Sequence, residues 1–185
     1  VWGDTVTVIN TANPEEILAT DGLTSRDLVL AKIPIGLPDI REEGARDAAV
    51  TSNATRAYVP LEYSGLVAVI DLMTLQQIDT NPETELIDPI NLRKAVPGAA
   101  PRYIAIEPRN EYAYVAGREI GTIYVLDINP NSPTYNQLVQ TINTGLSGIS
   151  GLAIDSEGTK LFATNKLGTD SYGGQIFVIN IDPQD

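Results

Sequence analysis

Histidine and cysteine are both absent from the 185 residues, and methionine occurs once, at Met73. Without imidazole or thiolate, the chain by itself excludes histidine-based triads, Cys/His zinc sites, iron–sulfur clusters and a disulfide framework. A haem would find only Met73 as a customary axial ligand, so it would need ligands from elsewhere. Long apolar runs are also missing. The longest, Leu66 to Ile70, has five residues, against the roughly 20 that a membrane-spanning helix requires, so no membrane insertion is expected. Basic residues are scarce: 12 against 24 acidic, for a net charge of -12. Such a balance opposes binding to nucleic acid and to anionic membranes unless the cations gather on one face.

What is present is a repeat. The stretch from Arg46 to Val59 lies without a gap on Arg102 to Val115, 56 positions on, and again on Ser150 to Ala163, a further 48 positions on. Each copy runs into a second pattern: Gly65-Leu66-Val67-Ala68-Val69-Ile70-Asp71, Gly121-Thr122-Ile123-Tyr124-Val125-Leu126-Asp127 and Gly174-Gln175-Ile176-Phe177-Val178-Ile179-Asn180. Thr5 to Asn10 repeats this second half alone. A fixed unit with a varying period places the insertions in loops.

The segments are short, rich in Val, Ile, Tyr and Thr, and bounded by Gly, Pro, Asn and Asp, which is the chemistry of strands and turns. Ser52-Asn53-Ala54-Thr55, Pro108-Arg109-Asn110-Glu111 and Ser156-Glu157-Gly158-Thr159 occupy the same hairpin turn. Val67 to Ile70 is apolar at consecutive positions, which implies burial on both faces of its sheet. Leu28 to Gly36 and Leu138 to Gly145 read as the fourth strand of their units. In the middle unit that strand is expected near Leu75 to Thr80, followed by an insertion through Pro97.

These residues resemble the YVTN-type β-propeller repeat, over most of the chain from Thr5 to Ile181. Its tyrosine strand corresponds to Ala57-Tyr58-Val59, Ala113-Tyr114-Val115 and Leu161-Phe162-Ala163-Thr164-Asn165, of which the last alone keeps the Thr-Asn ending. The resemblance implies an all-β fold, a β-propeller of four-stranded antiparallel blades. About 13 strands are expected, an arc of about three to three and a half blades: a half blade over 1–36, blades over 37–97 and 98–145, and an incomplete blade over 146–185. Propellers close with 4 to 8 blades, so the remaining blades are expected from the same longer chain or another subunit. The start at Val1-Trp2-Gly3 is likewise read as part of a longer polypeptide.

In propellers the loops after second and fourth strands gather around the mouth of the axial channel, which makes Arg46, Glu62, Tyr63, Arg102, Arg118, Glu119, Lys166 and Tyr172 the candidate ligand-binding residues. Arg46 and Arg102, at one repeat position, could clamp an anion through bidentate contacts; the alternative is pairing with Glu42, Glu43 or Glu107. Asp39, Glu42, Glu43 and Asp47 are close in sequence but lack the spacing of a calcium loop, and no metal site is assigned. Asp71, Asp127 and Asn180 read as turn caps. Glu83 and Glu85 could act as acid and base only beside another carboxylate. Gly148-Ile149-Ser150-Gly151 and Gly173-Gly174 lack the helix and lysine of a phosphate loop. Asn53-Ala54-Thr55 is formally a glycosylation sequon, although asparagine is at home in such a turn.

The expected function is that of a non-enzymatic binding or scaffold module of a secreted, cell-surface or periplasmic protein, as the resemblance implies, with no catalytic residue and no cofactor assigned. The alternative is a propeller enzyme, a lactonase-like hydrolase or the large subunit of a quinone- or haem-linked oxidoreductase, whose catalytic groups lie outside these residues.

Overall fold

The computed structural model of the chain describes residues 4–11, 28–37, 43–118, 121–145, 148–165 and 174–182. Among them the regular structure is antiparallel strand, apart from one 3-10 turn at Leu92–Lys94. The strands form four sheets. The first pairs β1 (Thr5–Ile9) with β2 (Val29–Pro34). The second runs β3 (Ala49–Val50), β4 (Arg56–Leu61), β5 (Leu66–Asp71) and β6 (Gln76–Gln77), with β7 (Ile90–Asn91) also on β5. The third is β8 (Pro101–Ile106), β9 (Tyr112–Gly117), β10 (Thr122–Asp127) and β11 (Gln137–Asn143). The fourth is β12 (Ile149–Ile154), β13 (Lys160–Asn165) and β14 (Gln175–Asn180). Consecutive strands pair within each sheet and the sheets pack face to face, which is an arc of a β-propeller.

The fourth strand of the second sheet differs from the expected Leu75 to Thr80. Gln76–Gln77 pair there opposite Ile70 and Asp71, the Ile78 amide adds one bond to the Val69 carbonyl, and the chain then leaves the sheet. It returns at β7, where Asn91 and Ile90 pair with Leu66 and Val67 at the other end of β5. The insertion thus supplies the second half of the outer strand, and the described strands number 14 rather than 13. Asp79 holds the excursion together, its carboxylate accepting the amides of Asn81 (2.9 Å) and Asp88 (3.1 Å).

The two-residue period of a strand sorts the apolar side chains between neighbouring blades. Along β4 and β5, Ala57, Val59, Leu61, Ala68 and Ile70 face β1 and β2 and pack with Ile33 and Ile35. Tyr58, Val67 and Val69 face the other way, onto Ile104, Ala113, Val115, Tyr124 and Leu126. The opposite face of that third sheet offers Tyr114, Ala116, Ile123 and Val125 to Ile149, Leu161 and Ala163 of the fourth. The core is therefore three apolar layers between four sheets. Val67, Ala68, Val69 and Ile70 are all fully buried, as a strand covered on both faces requires. The terminal sheets have one covered face. Ile176 and Val178 on β14, and Ile9 and Leu30 on β1 and β2, are more than half exposed.

The hairpin turns repeat in backbone as well as in sequence. Ala54, Asn110 and Gly158, equivalent in the repeat, all adopt left-handed φ, at 54°, 60° and 69°. Thr51, Glu107 and Asp155, also equivalent, accept the amides that close these turns, from Arg56, from Glu111 and from Thr159 and Lys160. Neighbouring turns are tied together: the Ser52 amide donates to Asn110 Oδ1 (2.8 Å), and Arg109 to the Gly158 carbonyl (3.3 Å).

Candidate functional site

The far ends of these strands are where the candidate residues fall, and there the first strand of each of these three sheets is irregular. Between Pro101 and Tyr103 the register on β9 slips by one, leaving Arg102 as an extra residue. Between Ile149 and Gly151 it slips again, at Ser150. Ala45 bridges Leu61 while Ala49 pairs with Tyr58, so one residue of 46–48 is likewise extra. A bulge bends its strand and re-aims a side chain. Here the same device recurs at equivalent positions, with Arg46, Arg102 and Ser150 at or beside it. The adjoining loops are held against these ends: the amides of Glu62 and Tyr63 donate to the Gly44 and Glu43 carbonyls, and Arg118 N–H to the Ala100 carbonyl.

Glu62 is the hub of the site. Its side chain is 2% exposed and lies between two guanidinium groups, Arg46 Nε on Oε2 at 2.9 Å and an Arg118 terminal nitrogen on Oε1 at 2.8 Å. Glu62 and Arg118 occupy the same repeat position on adjacent blades, so the pair bridges two sheets. Arg46 also donates to the Tyr63 hydroxyl at 2.5 Å and sits 5.4 Å from that ring's centroid. The hydrogen bond that Arg46 donates to Glu62 leads the influences that raise its guanidinium above the ordinary value, so it stays charged. The arginine side chains remain 41% and 48% exposed, and Glu62 takes one nitrogen of each. A carboxylate buried between two half-exposed arginines fixes their positions and leaves a cationic fork at the surface.

Arg46 therefore pairs with Glu62, which it shares with Arg118, rather than with Glu43 or Glu107. Arg102 makes no ion pair among the described residues; its guanidinium carbon lies 5.4 Å from the Tyr103 ring centroid, and its Nε is buried without a hydrogen-bond partner. Glu119, Lys166 and Tyr172 lie outside the described residues, as do Asp39 and Glu42. One residue of this region, Arg93, escapes sequence reasoning, and Glu43, weighed there as an arginine partner, is buried instead. Arg93, on the 3-10 turn of the insertion, donates to the carbonyls of Tyr63 (2.7 Å) and Ala99 (3.2 Å); its signal is hidden because an insertion has no repeat equivalent. Glu43 is 1% exposed, with Oε1 accepting the Leu37 amide and Oε2 unpartnered.

The remaining polar candidates are taken up by the scaffold. Asp47 accepts the Ile104 amide of the next blade at 3.0 Å. Asp71 accepts the Met73 and Thr74 amides, Asp127 the Asn129 amide and the hydroxyls of Ser132 and Thr134, and Asn180 the Asp182 amide. Backbone hydrogen bonds from Thr74 and Met73 hold the Asp71 carboxyl below the ordinary aspartate value. Burial raises Asp127, but hydrogen bonds from Ser132, Thr134 and Asn129 outweigh it and leave that carboxyl low as well. Glu83 and Glu85 are exposed on the insertion. A cleft of about 430 Å³, lined by Arg109, Tyr112, Tyr114, Gln140, Ile142 and Asn180 among others, lies beside the outer edge of the three-stranded fourth sheet.

Residues 77–185 match the family described as Lactonase, 7-bladed beta-propeller. The chain belongs to this lactonase propeller family. An uncharacterized protein of Lactococcus lactis subsp. cremoris (strain MG1363) is 33% identical over 88 residues, covering 44% of this chain and 25% of that protein. The lactonase-family chain thus matches about a quarter of that relative's length. Among solved structures, Kuenenia stuttgartiensis hydrazine synthase superposes with a TM-score of 0.62 at 23% identity, over 86% of this chain and 39% of the other. The RRP9 WD40 repeats follow at 0.56 and 13% identity, over 79% and 38%. At these identities the likeness is one of fold. Seven blades in the family and three to three and a half in this lactonase-family chain make it an arc of the ring.

Proposed function

We propose that this arc carries the anion-binding part of a propeller mouth, in a non-enzymatic binding module of the YVTN type on a secreted, cell-surface or periplasmic protein. One observation carries the reading. Arg46 and Arg118, from adjacent blades, are held by a single buried carboxylate and stay about half exposed, on a chain with a net charge of -12. A cationic fork so positioned on an acidic protein suits a small oxyanion, a carboxylate or a phosphate, because bidentate charge-assisted hydrogen bonds reward geometry as well as charge. The remaining blades, from the same longer chain or another subunit, complete the ring and the far side of the mouth.

The test is calorimetric titration of the full ring-forming protein with inorganic phosphate and with citrate. Each charge-assisted contact contributes about 1.5–3 kcal/mol, so R46A or R118A is expected to weaken binding roughly 10- to 100-fold. Binding that survives both substitutions unchanged refutes the assignment. The family match favours a second reading, in which the mouth orients an anionic lactone for hydrolysis by groups on other blades. Steady proton release from a sugar lactone by the full-length protein, lost in the same variants, would favour that reading over simple binding.

A further inference from the structure

We propose that Asn53 is an acceptor for an N-linked glycan, placed on the rim opposite the mouth. Asn53-Ala54-Thr55 is the only Asn-x-Ser/Thr sequence in the chain. The equivalent positions in the next two blades read Arg109-Asn110-Glu111 and Glu157-Gly158-Thr159, so the repeat does not demand asparagine at this place.

The structure presents the three residues as an acceptor must. They cap the tight turn between β3 and β4, at the end of β4 away from Glu62, with Ser52, Asn53 and Ala54 exposed. Asn53 Oδ1 accepts both the Thr55 hydroxyl, at 2.8 Å, and the Thr55 amide, at 3.2 Å. The threonine of the sequon is thereby joined to the asparagine amide it must act with, while Asn53 Nδ2 donates no hydrogen bond among the described residues. Ala54, with φ at 54°, folds the chain back so that asparagine and threonine lie side by side. Ser52 is tied to the neighbouring blade, its hydroxyl on the Pro108 carbonyl at 2.9 Å. The turn is therefore anchored behind Asn53 and open in front of it.

The reaction joins Asn53 Nδ2 to the anomeric carbon of a sugar carried on a polyprenyl diphosphate. The bond from that carbon to the phosphate oxygen breaks, the polyprenyl diphosphate leaves with the electron pair, and a proton from Nδ2 passes to a base of the transferring enzyme. A bulky solvated group on this rim leaves the mouth open.

The test is a peptide map of the protein purified from its own cells. Cleavage after Arg46 and Arg56 isolates Asp47–Arg56, which contains Asn53 and no other asparagine. This peptide is expected to carry a hexose-containing mass increment. Peptide N-glycosidase in heavy-oxygen water should remove it and leave labelled aspartate at position 53. Thr55→Ala should abolish the increment and Thr55→Ser retain it, which separates loss of the acceptor from loss of the fold. Recovery of the peptide wholly unmodified overturns the proposal.

Discussion

Ala54→Gly should stabilise the protein, against the usual expectation that trading alanine for glycine costs stability. Ala54 holds a φ of 54°, as Asn110 and Gly158 hold 60° and 69° at the equivalent turns. A residue with a Cβ gives up about 1–2 kcal/mol in this region. Glycine returns that strain but has more unfolded-state freedom to lose, about 0.5–1 kcal/mol. The balance is a gain of roughly 0.5–1 kcal/mol, or a rise in Tm of about 2 °C for a chain of this size. Two controls sharpen the argument. Gly158→Ala must lose stability, because its Cβ would lie 3.0 Å from Pro108 Cδ and 3.3 Å from Glu107 Oε2 as well as meeting the φ penalty. Asn110→Gly must also lose, despite relieving the same strain, because Asn110 accepts the Ser52 amide and donates to the Ser52 hydroxyl across the blade boundary. Urea unfolding of the three variants at one pH gives the order directly. An Ala54→Gly midpoint at or below that of the parent, with an unchanged m-value, would show that turn strain does not limit stability here.

Three further outcomes follow from named contacts. Glu62→Ala removes the carboxylate that unites Arg46 and Arg118; since both arginines are about half exposed, the loss should be about 1–3 kcal/mol in urea unfolding, and phosphate titration should weaken with it. Gly65→Ala should cost about 2 kcal/mol or more, because φ is 75° and the Cβ would fall 2.5 Å from Arg93 Nε and 2.7 Å from the Ala99 carbonyl, whereas Gly98→Ala, at φ 83° with open space around it, should cost only its backbone strain. Asp71, Asp127 and Asp155 are all held below the ordinary aspartate value of 3.8. The unfolded chain therefore takes up protons before the folded one does, so their contribution is present above pH 3.8 and fades as pH falls through the lower folded values. Denaturation midpoints should be flat through neutral pH and fall in that acid range, and Asp127→Asn should flatten the fall.

The repeat was legible because its physics is local and periodic. Tyr58, Val67 and Val69 turn to one neighbour while Ala57, Val59 and Ala68 turn to the other, and consecutive apolar residues in a short segment can mean little else. Burial of Val67 to Ile70 and the capping duties of Asp71 and Asp127 were legible for the same reason. The split outer strand was not. Ile90 and Asn91 are a two-residue pairing reached through a long insertion, and nothing local to them announces a partner at Leu66. The ion pairs were legible only as far as topology. Loop position grouped Arg46, Glu62, Tyr63 and Arg118 at one end of the blades, but proximity in sequence favoured Glu42 or Glu43 for Arg46, whereas blade stacking delivered Glu62, 16 positions away, and brought Arg118 to it from 56 positions away.

That difference bears on where specificity resides in this family of folds. At the tight turns the repeat keeps its backbone and its chemistry together: a left-handed residue at 54, 110 and 158, and an acceptor at 51, 107 and 155. At the opposite strand ends it keeps the backbone and changes the chemistry. The one-residue slip recurs on three inner strands, yet the residues at or beside it are Arg46, Arg102 and Ser150, and the loop position facing them carries Glu62 and then Arg118. A bulge costs the sheet ladder bonds in every blade that has one. If the slips served stability alone, residues of one kind would satisfy all three. Regular geometry with irregular side chains instead builds a row of equivalent seats whose occupants differ, and two of those seats, Arg46 beside one bulge and Arg118 in the neighbouring blade's loop, are bound through Glu62 into a single fork.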